Sequence, residues 1–237
     1  MNLPYFYEEK IQQPIHILSE ETARHCIQVL RMKEGEQLQL TDGRGSLFTA
    51  TIINPNKKNC EAEIKAVSYE LRATNHTSIA ISLLKNPSRL EWFIEKATEI
   101  GVSEIIPLVC DHTEKQNFRY DRMQNIIISA MLQSKQTWLP QLYQLKKLNI
   151  FMNENFEGLK LIAHCANEEK HSLSELMIQN KNKNKLILIG PEGDFSNAEI
   201  EAALEKKFIP VSLGNTRLRT ETAGIVAAVL LKDGFVK

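Results

Sequence analysis

The chain has 237 residues, of which 43% are hydrophobic and 24% are charged, and its 29 basic and 29 acidic side chains give a formal net charge of zero. This composition is typical of a globular protein with one large domain or two ordinary ones. The zero net charge weighs against a nucleic-acid binder that relies on a general basic excess, and it leaves room for a local basic patch.

The opening sequence MNLPYFYEEK has no basic segment followed by an apolar one, so we expect no signal peptide. No apolar run approaches the ~18 residues that span a bilayer, so we expect no membrane association. The four cysteines form no CxxC pair, and we interpret them as reduced core thiols rather than disulfides or zinc ligands. We therefore expect a cytoplasmic protein without a metal site.

Residues 1–72 are predicted to form a small β-rich, barrel-like domain. Short runs with partial alternation predict strands near residues 37–41, 46–53 and 60–67, separated by turn-forming residues. A helical pattern lies between residues 20 and 32, after the potential cap Ser19. His25 and Arg31 flank part of this helix, where they form either a solvated face or an RNA contact.

Residues 73–77 are predicted to be a linker, and residues 78–237 a second, α/β domain. Asn86 and Pro87 suit the cap and first position of a helix that ends before Gly101. Strands that alternate with helices predict a mostly parallel sheet covered on both faces. The predicted strands are 79–84, 105–109, 159–164, 186–189 and 208–213, and the predicted helices are 87–100, 119–136, 173–179, one that begins near 196, and 223–231.

Two loops at predicted strand ends are the main candidates for a binding site. The first, GPEG at 190–193, matches neither GxGxxG nor a Walker A loop, although its glycines would let the main chain approach a planar ligand. It is equally compatible with an ordinary turn before the helix that Ser196 and Glu199 would cap. The second loop follows the strand at 208–213. Open α/β sheets bind ligands at the carboxyl ends of their strands, so the two loops are predicted to lie at one edge.

Charged residues in the second loop stand beside an apolar helix that must be buried. Glu221 suits the dipole at a helix N-terminus, so capping is one interpretation of it. The same dipole does not stabilise the positive charge of Arg219. An anionic substrate or a subunit contact is therefore the favoured partner of Arg219. The tripeptide at 110–112, Cys-Asp-His, has no second ligand pair and is interpreted as structural. His164 and Cys165 follow another strand and could line the same pocket, although a packed histidine is the simpler interpretation.

Three blocks of the sequence resemble the RsmE family, the small-subunit ribosomal RNA uridine N3-methyltransferases of the SPOUT (trefoil-knot) superfamily. They are HCIQVLR at 25–31, EKATEIGVSEIIP at 95–107, and IGPEGDFS at 189–196 together with SLG at 212–214 and LRTETA at 218–223. The resemblance covers nearly the whole chain in the right order. One helix departs from the family pattern, because Leu132 stands where many members have an acidic residue and Gln136 where they have an arginine.

The resemblance implies a PUA-like barrel that engages RNA and a SPOUT domain whose last segment threads a deep trefoil knot. His25 and Arg31 are the candidate RNA contacts in that barrel. It also implies a homodimer that acts on ribosomal RNA within a small ribosomal subunit. The implied cofactor is S-adenosylmethionine. The implied cofactor-binding residues are Ile189, Gly190, Pro191, Glu192, Gly193, Leu213, Gly214, Leu218, Arg219, Thr220, Glu221 and Ala223.

In the implied reaction, a uracil N3 loses its proton and attacks the methyl group of the cofactor. Arg219 is the first candidate to stabilise the uracil anion, and either Glu221 or Glu192 could take the proton or balance the sulfonium charge. Two alternatives remain at this point. One is an enzyme of the same fold that methylates a ribose 2′-OH or another base atom, and the other is a non-catalytic RNA-binding or assembly protein.

Overall fold

A computed structural model of the protein describes residues 3–72, 75–166 and 169–232. The chain divides into two compact units, of which the first contains residues 1–72 and 131–139 and the second contains residues 73–130 and 140–237. Part of the predicted linker, residues 73 and 74, lies outside the described residues, and Thr77 already belongs to a strand.

The first unit is a five-stranded sheet with one short helix. Its strand order is β1-β3-β4-β5-β2, with β1 and β3 parallel and the other pairs antiparallel. Helix α1 is capped by Ser19, whose side chain accepts a hydrogen bond from the Thr22 amide, and it continues into a π-helical turn at His25–Val29. The elements are β1 Tyr5–Tyr7, β2 Ile15–Ile17, α1 Glu20–Arg24, β3 Gln37–Thr41, β4 Ser46–Asn56 and β5 Asn59–Tyr69.

The three long strands of this sheet match the predicted ones, whereas β1 and β2 were not predicted because three residues carry too little periodicity. Residues 131–139 were also not assigned to this unit from the sequence. Hydrogen bonds to their main chain help to hold them there: the Tyr5 hydroxyl donates to the Gln136 carbonyl at 2.8 Å, and the Leu139 amide donates to the Gly43 carbonyl at 2.9 Å. Gln136, which departs from the family pattern, therefore has a structural contact here.

The second unit is an eight-stranded sheet in which every pairing is parallel, as the alternation of strands and helices predicts. Its strand order is β11-β13-β10-β12-β6-β7-β8, with β9 also paired to β7. The elements are β6 Thr77–Ser82, α2 Pro87–Ile100, β7 Glu104–Val109, α3 Tyr120–Gln133, β8 Gln141–Leu142, β9 Lys146–Lys147, α4 Leu148–Phe151, β10 Leu159–Ala163, β11 His171–Ser172, α5 Leu173–Gln179, β12 Lys185–Ile189, α6 Asn197–Glu205, β13 Ile209–Ser212 and α7 Thr220–Leu231.

Local signals at two helix starts are confirmed. The Asn86 side chain accepts a hydrogen bond from the Ser88 amide at the start of α2. Ser196 and Glu199 form a capping box at the start of α6. In the part of the chain that the structure describes, no helix is long and apolar enough to cross a membrane.

Helix α7 is held against α2 and the central strands at both of its ends. A Cβ added to Gly224 would lie 2.6 Å from the ring of Phe93 in α2, so only glycine allows this approach. At the other end, the buried Lys185 ammonium donates a hydrogen bond to the Leu231 carbonyl at 3.2 Å, where the negative end of the helix dipole favours a cation. The start of α7 is thereby fixed beside the first turn of α2.

A buried acidic group stabilises the first unit. Glu8 is 7% exposed and accepts a hydrogen bond from the Ser19 amide at 3.0 Å, while His16 Nε2 lies 3.6 Å from its other oxygen. Burial acts to raise the pKa of Glu8, but the adjacent His16 and hydrogen bonds from Thr22 and Ser19 outweigh it and lower the pKa below the ordinary 4.5.

This depressed pKa predicts a pH-dependent loss of stability. The ionised Glu8 contributes stability above pH 4.5, its ordinary value, and that contribution disappears as the pH falls through the lower pKa of the folded state. We expect Glu8→Gln to lower the free energy of unfolding at pH 7 by about 1–3 kcal/mol, and the difference from the parent protein to shrink progressively as the pH falls below 4.5.

The measurement is urea denaturation followed by Trp138 fluorescence in a Trp92→Phe background, since Trp138 belongs to the first unit. The exposed pair Lys65 and Glu63 provides the control, because Glu63→Gln should change little at any pH. An effect of Glu8→Gln that stays constant as the pH falls from 7 through the acid range would contradict the assignment.

Candidate active site

A cavity of about 400 Å³ opens at the carboxyl ends of the strands in the second unit. The loops after β12 and β13 both line it, as predicted from the sheet-edge rule, although β10 separates the two strands. The lining residues are Arg89, Ala163, Cys165, Ile189, Gly190, Pro191, Glu192, Asp194, Arg217, Leu218, Arg219, Thr220 and Ala223.

Most of the predicted cofactor-binding residues are in this lining. Those that line the cavity are Ile189, Gly190, Pro191, Glu192, Leu218, Arg219, Thr220 and Ala223. Four predicted residues lie outside it: Gly193, Leu213, Gly214 and Glu221. The cavity is therefore lined by small or apolar residues together with five charged ones, Arg89, Glu192, Asp194, Arg217 and Arg219.

The glycine loop turns sharply after β12. The Asp194 amide donates a hydrogen bond to the Pro191 carbonyl at 3.0 Å, and Asp194 has a φ of 66°, which is uncommon for a residue with a side chain. The exposed Glu192 accepts a hydrogen bond from the Lys85 amide at 3.2 Å. One edge of the cavity therefore presents main-chain groups and the Glu192 carboxylate.

The opposite loop presents two exposed arginines. Arg219 is the N-cap residue of α7 and its side chain makes no capping hydrogen bond. Arg217 and Arg219 both line the cavity, and neither makes an ion pair among the described residues. Their guanidinium groups are thus available to an anionic or carbonyl-bearing ligand.

Glu221 lies in a different environment from Arg219. It is 7% exposed, and its Oε1 lies 3.6 Å from Arg89 Nε on the neighbouring helix α2. Its Oε2 is buried and has no hydrogen-bond partner among the residues that the structure describes. The carboxylate therefore faces Arg89. Arg89 lines the cavity, whereas Glu221 itself does not.

Arg89 and Asp194 are site residues that the sequence analysis missed. The Asn86 cap does predict that a helix starts where β6 ends, and Arg89 is in the first turn of that helix. The Asp194 carboxylate accepts hydrogen bonds from the amides of Cys165, at 2.7 Å, and Phe195, at 2.9 Å. The positions of Arg89 and Asp194 in the site have no local sequence signal. Arg89 and its partner Glu221 are far apart in the chain, as are Asp194 and Cys165, and the contact between Asp194 and Phe195 depends on the unusual backbone angle of Asp194.

The residues that follow β10 behave differently from each other. Cys165 is exposed and lines the cavity, whereas His164 is 7% exposed. All four cysteines are free thiols, and Cys26, Cys60 and Cys110 are buried. The interpretation of all four as core thiols is therefore wrong for Cys165, whose strand end opens into the cavity. Within the described ranges, no group of three or more His, Cys, Asp and Glu side chains could hold a metal ion.

The two predicted RNA contacts lie in the first unit. His25 and Arg31 are both exposed, at the start of the π-helical turn and just after it. The His25 ring packs edge-on against Phe6 with centroids 5.5 Å apart, and Arg31 has a φ of 56°. The apolar Val29 and Leu30 beside them are also exposed. The segment therefore presents the Arg31 cation, the His25 ring and apolar side chains to solvent.

Comparisons with known proteins identify both units. A family model described as an RNA methyltransferase domain matches residues 72–232, and one described as an RNA methyltransferase PUA domain matches residues 18–65. The ribosomal RNA small subunit methyltransferase E of Buchnera aphidicola (from Acyrthosiphon pisum) is 30% identical, over 98% of this chain and 92% of that protein.

Solved structures agree with this result. A Legionella pneumophila protein, assigned as a methyltransferase and solved with the bound cofactor SAM, has a TM-score of 0.86 and 33% identity over 98% of this chain and 97% of that one. The ribosomal RNA small subunit methyltransferase E of Neisseria gonorrhoeae, bound to S-adenosyl methionine, has a TM-score of 0.82 and 26% identity over 96% of both chains. The sequence blocks, the parallel sheet and these matches together show that the chain belongs to the family of ribosomal RNA small subunit methyltransferases E.

Proposed function

We propose that the protein transfers a methyl group from S-adenosylmethionine to N3 of a uridine in the RNA of the small ribosomal subunit. The observation that carries this proposal is that two loops far apart in the sequence line one cavity at the carboxyl edge of a parallel sheet. They are the glycine loop at 190–193 and the loop after β13 that carries Arg217 and Arg219, called here the arginine loop. The names of the relatives support the RNA substrate, and the cofactor in two similar structures supports the methyl donor.

The residues of the cavity fit this cofactor. Its volume of about 400 Å³ is within the usual range of small-molecule sites. Ile189, Leu218 and Ala223 provide an apolar surface for an adenine ring, and the main chain at 190–192 can approach it closely. When bound, the cofactor supplies an electrophilic methyl group on a sulfonium.

Arg219 is proposed to stabilise the reacting base. Uracil N3 carries a proton at neutral pH, so a nearby cation that favours the anion assists its loss. The exposed guanidinium of Arg219 can donate hydrogen bonds to a uracil carbonyl, which would hold N3 in line and spread its negative charge.

The two acidic candidates are proposed to have different roles. Glu192 lines the cavity and is exposed, so it can take the N3 proton or balance the sulfonium charge. Glu221 faces Arg89 at 3.6 Å, and its proposed role is to hold that guanidinium in the cavity wall. Proximity and alignment would then contribute most of the rate enhancement, about 7–11 kcal/mol where the alignment is good.

We also propose that the enzyme is a cytoplasmic homodimer with a trefoil knot. In support of the knot, β13 lies on the far side of β10 from β12, whereas α7 returns across the sheet to pack on α2 and β6. His25 and Arg31 of the first unit are the proposed RNA contacts, and ribosomal subunits are found in the cytoplasm. The zero net charge suits a substrate that is recognised within a partly assembled subunit, where RNA shape adds contacts.

The direct test is incubation with labelled S-adenosylmethionine and small ribosomal subunits that lack the modification, followed by nucleoside mass spectrometry. We expect N3-methyluridine, with less product from protein-free ribosomal RNA. Methylation at a ribose 2′-OH or another base atom would overturn the proposed specificity. No transfer to any RNA, despite RNA binding, would indicate a non-catalytic protein.

Substitution of the two arginines should separate chemistry from binding. Arg219→Ala is expected to lower kcat by about 100-fold or more, because it removes charge stabilisation in the transition state, while cofactor affinity changes by less than about 3-fold. The matched control is Arg217→Ala, which should mainly raise KM for the subunit and reduce its salt dependence. Unchanged turnover in Arg219→Ala would remove this residue from the mechanism.

Cys165 provides a readout of cofactor binding that does not depend on activity. Burial raises the pKa of the Cys26 and Cys110 thiols to about 12 and also raises that of Cys60, so these groups are almost fully protonated near neutral pH. Iodoacetamide should therefore modify the exposed Cys165 first.

S-adenosylmethionine at ten times its Kd should slow this modification about tenfold, because about one-tenth of the sites remain free. Mass spectrometry of tryptic peptides measures the rate, with methionine as the non-binding control ligand and Cys165→Ser as the control variant. A rate at Cys165 that is the same with and without the cofactor would argue against its binding in this cavity.

A further inference from the structure

The tripeptide Cys110-Asp111-His112 follows β7 and lies against the segment that leads from the glycine loop into α6. The proposed function gives it no role, and it holds no metal site among the described residues. Its contacts nevertheless converge on residues 193–199, at the border of the cavity. These contacts indicate that the tripeptide supports the segment between the glycine loop and α6.

Asp111 secures the start of α6. The Ser196 hydroxyl donates a hydrogen bond to Asp111 Oδ2 at 2.6 Å, and the Asp111 amide donates to Glu199 Oε1 at 2.8 Å. The second oxygen of Glu199 accepts from the Ser196 amide at 2.9 Å. Both carboxylates thus lie at the helix N-terminus, where the dipole favours negative charge. This network anchors the end of β7 to the first turn of α6.

His112 makes the contact nearest to the cavity. Its Nδ1 lies 2.9 Å from the Asp194 carbonyl oxygen and 3.2 Å from the Gly193 carbonyl oxygen. A carbonyl oxygen only accepts hydrogen bonds, so Nδ1 must carry the proton and donate to both. The approach is close, because a Cβ added to Gly193 would lie 3.2 Å from His112 Cβ. A side chain at 193 would therefore crowd His112.

The residue that His112 holds has an unfavourable backbone conformation. Asp194 has a φ of 66°, which persists in a residue with a side chain when its surroundings fix it. Its carboxylate is held by the amides of Cys165 and Phe195, and its carbonyl is held by His112. Because Asp194 lines the cavity, these contacts set the shape of one cavity wall.

We propose that His112 is a positioning residue: by donating from Nδ1 to the carbonyls of Gly193 and Asp194, it keeps the glycine loop in its ligand-binding conformation. The effect of His112 on the loop conformation does not depend on the proposed function; only its consequence for cofactor affinity rests on that function.

The test compares His112→Ala, His112→Asn and His112→Gln. The amide nitrogen of asparagine can take the place of Nδ1, whereas the longer glutamine side chain places its nitrogen nearer to the position of Nε2. Amide hydrogen exchange is measured without cofactor at Cys165, Asp194 and Phe195, whose amides donate within the loop. We expect exchange about 2- to 10-fold faster in the alanine and glutamine variants, and near-parent exchange in the asparagine variant.

Two controls make the result specific. His76→Ala removes a histidine just before β6, at the opposite edge of the sheet, and should leave loop exchange unchanged. Exchange at Ile187 and Leu188 in β12 reports global opening and should not change in any His112 variant. Loop exchange in His112→Ala equal to that of the parent, a uniform rise that includes β12, or an asparagine variant no better than glutamine would each overturn the proposal.

Calorimetry with S-adenosylmethionine extends the test to function. Affinity should fall about 2- to 10-fold in the alanine and glutamine variants and recover in the asparagine variant. If the parent protein does not bind this cofactor, the proposed function fails while the exchange result still decides the role of His112. If the parent binds and the variants bind equally well despite faster loop exchange, the claim about the ligand-binding conformation fails.

Discussion

The close packing of α7 on α2 is the constraint on which the candidate site depends. Gly224 allows the two helices to approach until the ring of Phe93 occupies the space of a Cβ. This approach places the first turns of both helices at the carboxyl edge of the sheet, so that Arg89 of α2 and Glu221 of α7 meet at 3.6 Å. A larger residue at 224 would separate the helices and move the arginine loop away from the glycine loop.

Much of the fold could be predicted from the sequence, because its signals are local. The Asn86 cap, the capping box of Ser196 and Glu199, and the alternation of apolar strands with helices all operate within a few residues. The parallel sheet follows from that alternation. The edge strands β1 and β2 and the membership of residues 131–139 in the first unit depend instead on contacts between distant segments, for which a single sequence carries no signal.

The site was predictable to a similar degree and for the same reason. The two loops could be assigned to one edge, since parallel strands end there together. Arg89, Asp194 and Cys165 join the cavity through tertiary contacts, and the sequence suggested this position only for Cys165. The contacts of Asp111 agree with the interpretation of the Cys-Asp-His tripeptide as structural. The contact of His112 with the glycine loop could not be predicted from the sequence, because 81 positions separate His112 from Gly193.

The segment Arg219-Thr220-Glu221 shows how adjacent residues obtain different environments. Arg219 is the cap and has an extended backbone (φ −71°, ψ 155°), whereas Thr220 and Glu221 are helical and their side chains point about 100° apart, so the three side chains have different surroundings. Arg219, the cap residue, is exposed at the cavity; Thr220 is buried and lines it; Glu221 is buried against Arg89. A carboxylate beside Arg219 in sequence thus does not neutralise it in space. The anion is placed on the α2 side of the helix, and the Arg219 cation stays available at the cavity. This separation explains how a chain with no net charge can present, at the edge of the cavity, a positive charge that has no ion-pair partner among the described residues.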